Sequence, residues 1–354
     1  GVALSQLAIQ YKYELNNQFS ATIIANAFAD DNQTDIGITE GYFSYKGLPS
    51  GSGWRTRTKL GLFYPKISLE NTATAWSTPY TLTSSSLNNW VGEEFRHSGA
   101  AMTIEKLGKF TKSEHDFLLD VSFFQNNDTA GAMLSWHGWA LGSRQTLLQE
   151  KLIVQPFYAR ELDLKAQAAH SDPFIELDNR WGTHLVAQWR WVHKLTANLG
   201  YYDNNADTTV VENGQYVWST KFLHLGVKYK LTKQVELIAQ YMRGTTIMES
   251  PYGINVVDND FHNAFVMLRT YWQQHHLAIR VEEFLVDDLD NTVGDNNNEY
   301  GKALTFSYRY KLGKSSFIHS EYSWLESTRP SRSYLWQRTE LTEQQLQVAY
   351  RYYF

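Results

Sequence analysis

The sequence predicts an all-β fold, a transmembrane antiparallel β-barrel of about 16 strands, with about 18 as the alternative. The first reason is the end of the chain, where every second residue is apolar or aromatic: Leu346, Val348, Tyr350, Tyr352 and Phe354. A period of two is typical of a β-strand with one apolar face. The pattern returns along most of the 354 residues, and no predicted helix or second sheet would cover that face. We therefore expect lipid to cover it.

Composition is the second reason. The chain is 15% aromatic and 43% hydrophobic, yet its mean hydropathy is only -0.44. A helical membrane protein needs runs of about 20 apolar residues, and the sequence contains none. Barrel strands need only alternate apolar residues. The absence of cysteine excludes disulfides and thiolate metal sites, and a net charge of -5 does not indicate nucleic-acid binding.

Strand signals in the first half are separated by two irregular regions. Alternating segments cover residues 7–13, 19–28, 36–45, 54–63, 99–106 and 117–123. Tyr64 to Arg96 does not alternate and is too long for an ordinary connection. Residues 126–179 form either one long external segment or an additional pair of strands. No basic and apolar leader precedes Gly1, so we expect a processed or trimmed form.

The second half is more regular, with strands joined alternately by short turns and long loops. Predicted strands cover residues 183–191, 195–202, 223–231, 235–241, 264–272, 277–281, 304–312, 317–325 and 346–354. Predicted long loops cover residues 204–215, 247–260, 287–299 and 327–342. Bacterial barrels place short turns on the periplasmic side and have even strand numbers, so the roughly 15 strands recognised here imply one more. We predict a single barrel domain over residues 1–354.

Charged residues on one strand give the first functional signal. Arg55, Arg57 and Lys59 alternate with apolar or uncharged residues. A cation facing lipid near the membrane centre costs about 2–4 kcal/mol, so these side chains are expected to face the lumen. They would form an anion pathway or, alternatively, an ordinary solvated wall. Further cations predicted on the inner face of the barrel wall, along the pathway, are Arg190, Arg269, Arg280 and Arg309.

Tyr64 to Arg96 follows the cationic strand and is the candidate constriction loop, residues 64–96. The alternative is an external lid. Its candidate pathway residues are Lys66, Trp76, Tyr80, Glu93, Glu94 and Arg96. Folded inward, Trp76 and Tyr80 would offer flat faces to sugars or would anchor the loop to the wall.

The same region carries a family resemblance. KLGLFYPKISLE over residues 59–70, followed by WSTPY and VGEEFRHSGAAMTIE, resembles the Gram-negative porin superfamily that includes the phosphate-selective O and P porins. Residues matching its pattern with shifted spacing are Gly61, Phe63, Pro65, Ser68 and Glu70. The resemblance implies a trimeric diffusion channel in the outer membrane, in contact with its lipid and lipopolysaccharide. Phosphate specificity in that family depends on an arginine ladder and a lysine cluster. Arg55, Arg57 and Lys59 resemble part of the ladder, but in place of the lysine cluster this loop offers only Lys66 and Arg96.

Together these features predict an outer-membrane porin for small hydrophilic solutes or ions that favours anions. The alternatives are a selective channel for sugars or acidic oligosaccharides, a barrel enzyme, or a structural or adhesion barrel. No nucleophile motif such as G-x-S-x-G occurs, so we predict no enzymatic activity. We also predict no cofactor and no metal site, because neither His275 and His276 nor the acidic stretch from Asp287 to Asn298 has ligand spacing. The cluster from Trp136 to Gln145 is either a second inward loop or a trimer contact.

Overall fold

A computed structural model of the chain describes residues 5–29, 36–162 and 164–354. The strands are β1 (Gln6–Glu14), β2 (Phe19–Phe28), β3 (Ile36–Lys46), β4 (Trp54–Phe63), β5 (His97–Lys106), β6 (His115–Gln125), β7 (Leu152–Ile153), β8 (His170–Ser171), β9 (Gly182–Trp191), β10 (Leu195–Asp203), β11 (Val211–Glu212), β12 (Gln215–Tyr216), β13 (Trp218–Lys230), β14 (Val235–Glu249), β15 (Asn255–Trp272), β16 (His275–Asp288), β17 (Glu299–Lys311), β18 (Ser316–Thr328) and β19 (Glu340–Tyr352). The α-helices are α1 (Ser86–Glu94) and α2 (Ala132–Trp136). Single 3₁₀ turns cover Thr74–Trp76, Gly108–Thr111, Tyr158–Glu161 and Pro330–Leu335. In this part of the chain no helix is both long and apolar enough to cross a membrane.

Fifteen of the strands form one antiparallel sheet, in which each long strand pairs with the next long strand along the chain. The short pairs β7–β8 and β11–β12 lie outside it. This confirms the predicted large antiparallel sheet. Within the described residues, β1 and β19 are the two unpaired edges, and the odd strand number makes them run in the same direction.

The two faces of the sheet differ as the alternation predicts. On β17, Phe306 faces outward and is 43% exposed, whereas its neighbour Thr305 faces inward and is fully buried. The short turns, such as residues 273–274 and 313–315, gather at one end of the strands. We call this the short-turn end and the opposite end the long-loop end.

The sheet curls around residues 64–96, which we call the inward segment. The Tyr64 amide donates to Glu40 Oε2 of β3 at 3.4 Å, and the Leu82 amide donates to Glu321 Oε2 of β18 at 2.6 Å. Between these contacts, the Leu69 amide donates to the Gln240 side chain of β14 at 2.9 Å. Strands near both edges of the sheet therefore face the same segment.

Residues 127–139, the second inward segment, also lie inside the curled sheet. Among the described residues of the range 126–179 no strand joins the large sheet, so the alternative of an additional strand pair in the barrel wall is wrong. Instead, the Ala130 carbonyl accepts from Thr220 Oγ1 at 2.5 Å, and the Trp139 amide donates to Glu299 Oε2 at 3.0 Å. Of the two interpretations of the Trp136 cluster, the inward loop therefore matches residues 136–139.

An apolar core fills the lumen between the two segments. Trp90 of α1 packs edge-on against Phe95 and Phe261, with ring centroids 4.7 and 5.1 Å apart. Phe222 and Tyr202 stack at 4.7 Å beside them. The wall residues of this core are Tyr202, Phe222 and Phe261. They occupy inward positions near the long-loop end, where an aqueous channel would carry polar residues. This part of the lumen is therefore closed by packing.

Two sequence expectations fail locally. The helices α1 and α2 were not predicted, although Ser85 supplies a helix-capping side chain that accepts from the Asn88 amide at 3.3 Å. Residues 247–260 were predicted as a loop, but β14 continues to Glu249 and β15 begins at Asn255. The polar residues at the start of β15 conceal its strand period.

Candidate solute pathway

The cationic strand β4 turns its three charges inward, but they differ in their partners. Arg55 binds Glu105 on β5 at 2.6 Å, and Arg57 hydrogen bonds to the same carboxylate. Lys59 lies over the Tyr42 ring, 4.5 Å from its centroid. Within the described residues no carboxylate lies within 4.0 Å of Lys59. One carboxylate thus serves two arginines, and the lysine charge is not paired.

A cavity of about 720 Å³ separates the inward segment from strands β1 to β6. Its charged lining residues are Lys12, Glu14, Glu40, Lys46, Arg57, Lys59, Lys66 and Asp120. Hydroxyl and amide side chains such as Thr22, Ser44 and Asn71 complete the wall. This polar space contrasts with the apolar core and is the candidate pathway.

Lys66 joins this space to a second one. It also lines a cavity of about 90 Å³ together with Arg57, Glu105 and Arg190. Arg190 is held there by Asp116, to which its Nε donates at 2.8 Å. Burial lowers the pKa of Lys66, and nearby Asp120 opposes that shift. Among the described residues no carboxylate lies within 4.0 Å of the Lys66 amine.

The aromatic residues of the inward segment divide between the two sides. Trp76 lines the large cavity and stacks on Tyr64, with ring centroids 4.1 Å apart and planes at 6°. Tyr80 lies on the opposite wall, where Lys228 and Arg269 approach its ring at 5.1 and 5.0 Å. Of the two predicted aromatic residues, Trp76 therefore lines the candidate pathway, together with Tyr64, and Tyr80 does not.

Arg309 and Arg351 hold the backbone beside Tyr80. Arg309 Nη1 donates to the Pro79 carbonyl at 2.8 Å, and Arg351 Nη1 donates to the Thr78 carbonyl at 3.0 Å. Together with Lys228 and Arg269, they form what we call the four-cation cluster. Arg269 binds Glu236 at 2.6 Å, and Lys228 lies 3.7 Å from the same carboxylate.

Arg280 is completely buried and does not line the cavity. It binds Glu70 of the inward segment at 2.6 Å and Glu282 of its own strand at 2.7 Å. Its Nη1 also donates to the Thr83 carbonyl at 2.8 Å. This geometry makes Arg280 an anchor that fixes the inward segment to the wall.

Glu94 joins the two inward segments. Its carboxylate accepts from the amides of Gly131 and Met133, both at 3.1 Å, and from Trp90 Nε1 at 2.5 Å. Burial raises its pKa to about 7. Burial, followed by repulsion from Glu94, raises the pKa of Glu93 to about 8.

Arg96 is also an anchor and not a wall charge. It is buried and donates to the carbonyls of Thr39 and Thr146, at 3.0 and 2.9 Å. Its guanidinium lies 3.5 Å from the centroid of the Tyr64 ring. Sequence reasoning missed Glu40 and Tyr42, which line the cavity from β3. The period of two on that strand could have placed both on the inner face.

Comparison with known proteins gives structural matches only. No family profile and no curated protein sequence matches the chain. The outer-membrane channel DcaP of Acinetobacter baumannii is 8% identical, with a TM-score of 0.57, over 99% of this chain and 84% of that one. An anion-selective porin from Comamonas acidovorans is 12% identical, with a TM-score of 0.54, over 99% of this chain and 89% of that one. OmpT, an outer-membrane protein of Vibrio cholerae, is 10% identical, with a TM-score of 0.54 over the same shares.

These similarities cover nearly the whole chain and define its fold. The chain has the fold of Gram-negative outer-membrane porins, which confirms the porin resemblance at the level of the fold. At such low identity, the solute preference has to be argued from this chain's own residues.

Proposed function

We propose that the protein is a passive diffusion channel of the Gram-negative outer membrane, admitting small hydrophilic solutes and favouring anions. The observation that carries the proposal is the polar cavity beside β1 to β6, where Lys59 and Lys66 have no carboxylate partner among the described residues. A confined wall with excess positive charge attracts anions and raises the barrier to cations. The excess is local, since the chain as a whole carries -5.

Wall chemistry also supports a channel over a barrel enzyme. The groups beside the cavity are charges, hydroxyls and amides spread over six strands, a lining suited to many weak contacts. Two matched structures are described as a channel and a porin. Passive conduction requires no cofactor and no bound metal.

The test is ion selectivity in a planar bilayer under a salt gradient. We expect the wild type to give a reversal potential of anion-selective sign. Changing Lys59→Gln and Lys66→Gln together should move that potential towards zero. The matched control, Lys109→Gln with Lys112→Gln, removes two cations from an exposed short turn and should leave it unchanged.

Salt concentration sharpens the same test. The Debye length falls to about 3 Å at 1 M salt, so the wall charge would no longer reach across the cavity. Anion preference should therefore decline at high salt. A cation-selective wild type would contradict the proposal and would direct attention to Glu40 and Asp120.

A sugar-selective channel is the second candidate, favoured by the position of Trp76. The indole lines the same cavity as Tyr42 and Asn71, and these side chains provide the aromatic faces and polar groups that sugars use. Neutral oligosaccharides should then produce concentration-dependent current blocks. Trp76→Ala should shorten those blocks, whereas outward-facing Trp54→Ala should not.

We also propose that one further antiparallel strand closes the sheet into a barrel of 16 strands. The edges β1 and β19 run in the same direction, and Val348 on β19 is 71% exposed, compared with 43% for Phe306 inside the sheet. An intervening strand would separate the edges by about 10 Å. Spin labels at Tyr11 and Tyr350 would measure this distance, and about 5 Å would indicate direct pairing.

A homotrimer in contact with lipid and lipopolysaccharide completes the proposal. One matched OmpT structure is described as a trimer form. The outward apolar face provides the surface for lipid or for neighbouring copies. Analytical ultracentrifugation in a density-matched detergent would give the mass of the assembly.

A further inference from the structure

The inner face at the short-turn end carries a row of basic groups across seven strands. Its basic members are Lys228, Arg269, His276, Arg309, His319 and Arg351, and the remaining strand of the seven contributes Glu236. Glu236 is its one carboxylate and is already bound by Arg269. Arg309 and Arg351 have no carboxylate within 4.0 Å in the described part of the chain and bind backbone carbonyls instead.

Three arginines on the other wall at this end have carboxylate partners. Arg55 and Arg57 share Glu105, and Arg190 binds Asp116. Lys12 binds Glu14 at 2.7 Å. The four-cation cluster has one carboxylate for four cations, so it carries more unbalanced positive charge than these residues.

The long-loop end has the opposite sign. Its acidic residues include Asp128, Glu176, Asp178, Asp288, Asp290 and Asp295. None of these six lies within 4.0 Å of a cationic group in the described residues. The ion pairs that do occur there, such as Arg180 with Asp207 at 2.7 Å and Arg329 with Glu299 at 3.7 Å, use other carboxylates.

We propose that this axial separation of charge makes the channel rectify, with the larger current when the long-loop side is positive. This inference rests on the proposed function, because it requires conduction. At that polarity, anions enter through the basic end and cations enter through the acidic end, so both carriers accumulate in the lumen. The reverse polarity draws both carriers out and depletes it, because each mouth opposes entry of the ion then required.

The orientation of single channels must be known for this test. The chain contains no cysteine, so Tyr252→Cys places one thiol between β14 and β15 at the long-loop end, on a residue that is 89% exposed. A membrane-impermeant bulky thiol reagent added to one chamber then identifies the side facing it. Once the orientation is assigned, we compare the current at about +100 mV with the current at about -100 mV. We expect the two currents to differ by about twofold, since surface potentials reach several kT.

Two charge variants should both reduce the current ratio but shift selectivity in opposite directions. Arg309→Gln with Arg351→Gln should bring the ratio towards one and weaken anion preference. Asp288→Asn with Asp290→Asn should also lower the ratio while strengthening anion preference. In the described part of the chain, the side-chain hydrogen bonds of Asp288 and Asp290 join residues of their own loop and Asp258, not the inward segment, so the second pair tests the proposal even if the first pair disturbs folding.

The matched control removes two cations from the outer surface. Arg243 and Lys302 are exposed on outward-facing positions, and Arg243→Gln with Lys302→Gln should retain the wild-type ratio. Equal currents at both polarities in a conducting wild type would overturn the inference but leave the channel intact. Absence of any conductance would instead contradict the proposed function.

Discussion

The two walls of the lumen meet the inward segment in different ways. Along β1 to β6 a polar cavity of about 720 Å³ separates wall from segment. Along β13 to β18 the segment packs directly on the wall, where Leu69 contacts a buried cluster containing Ile238, Phe265 and Met267. The inward segment therefore lines the cavity on its β1–β6 side and fills the lumen on its β13–β18 side.

The comparison teaches that an inward arginine has no fixed role in such a lumen. The Arg57 side chain is 38% exposed beside the cavity, whereas the Arg280 side chain is completely buried between two carboxylates. Partners decide the difference, since Arg280 meets Glu70 from the inward segment and Glu282 from its own strand. Charge patterns along a strand thus identify the inner face but not the path.

The largest expected effect comes from breaking the packed wall at Arg280. Arg280→Met should leave Glu70 and Glu282 buried without their counter-ion, at a cost of about 3–5 kcal/mol. We expect the inward segment to detach, with a lower midpoint of urea unfolding and larger, noisier single-channel currents.

Two comparisons test the physical reason. Adding Glu70→Gln and Glu282→Gln to Arg280→Met should restore part of the stability, because the buried charges are then removed together. Arg180→Gln breaks a partly exposed ion pair with Asp207, and should change stability by less than about 1 kcal/mol. Equal losses in Arg280→Met and Arg180→Gln would refute the anchoring role.

A smaller, pH-dependent effect is expected at Glu94. Burial raises its pKa from 4.5 to about 7, so folding favours the protonated form. The contact with the second inward segment should therefore weaken as pH rises from about 4.5 through 7 and stay weak above that range, a change of about 3 kcal/mol. Hydrogen exchange of residues 127–139, corrected for the intrinsic rate, should increase over that interval.

Glu94→Gln should remove the Glu94 share of this pH dependence, because the amide does not ionise, and the remainder should follow Glu93, whose pKa burial raises to about 8. Glu212→Gln, an exposed change on β11, should retain it. A pH profile that is the same in Glu94→Gln as in the wild type would assign the effect to another group.

The smallest effect is expected on the open wall at Trp76. Trp76→Ala removes an indole that lines the cavity and so widens its open cross-section. Conductance should increase in proportion to that area, by roughly tens of per cent. Trp54→Ala removes an outward-facing indole and should leave conductance unchanged. A conductance decrease in Trp76→Ala would indicate collapse of the segment after loss of the stack on Tyr64.

Much of the sheet could be predicted because an apolar outer face and a more polar inner face impose a period of two. The segment 304–312 predicted one strand, and β17 covers Glu299–Lys311. Errors concentrate near the long-loop end, where strands extend beyond the outward apolar residues. There, Asp258 and Asp260 on β15 replace the outward apolar residues on which the prediction depends.

The candidate site was less predictable because its contacts are distant in sequence. The inward orientation of Arg55, Arg57 and Lys59 follows from the strand period. The burial of Arg280 depends on Glu70, 210 residues away, and no local pattern encodes that pairing. The inward position of Trp136 likewise depends on contacts such as that with Asp295, 159 residues further on.

The order in which the chain is made has a consequence for assembly. Contacts of the inward segment span 171 residues at Gln240, 210 at Arg280, 239 at Glu321 and 273 at Arg351. Contacts this distant form slowly, because the intervening chain must be ordered first. A sheet that lacks its last six strands therefore lacks all four of these contacts, and its inward segment stays unfastened on that side.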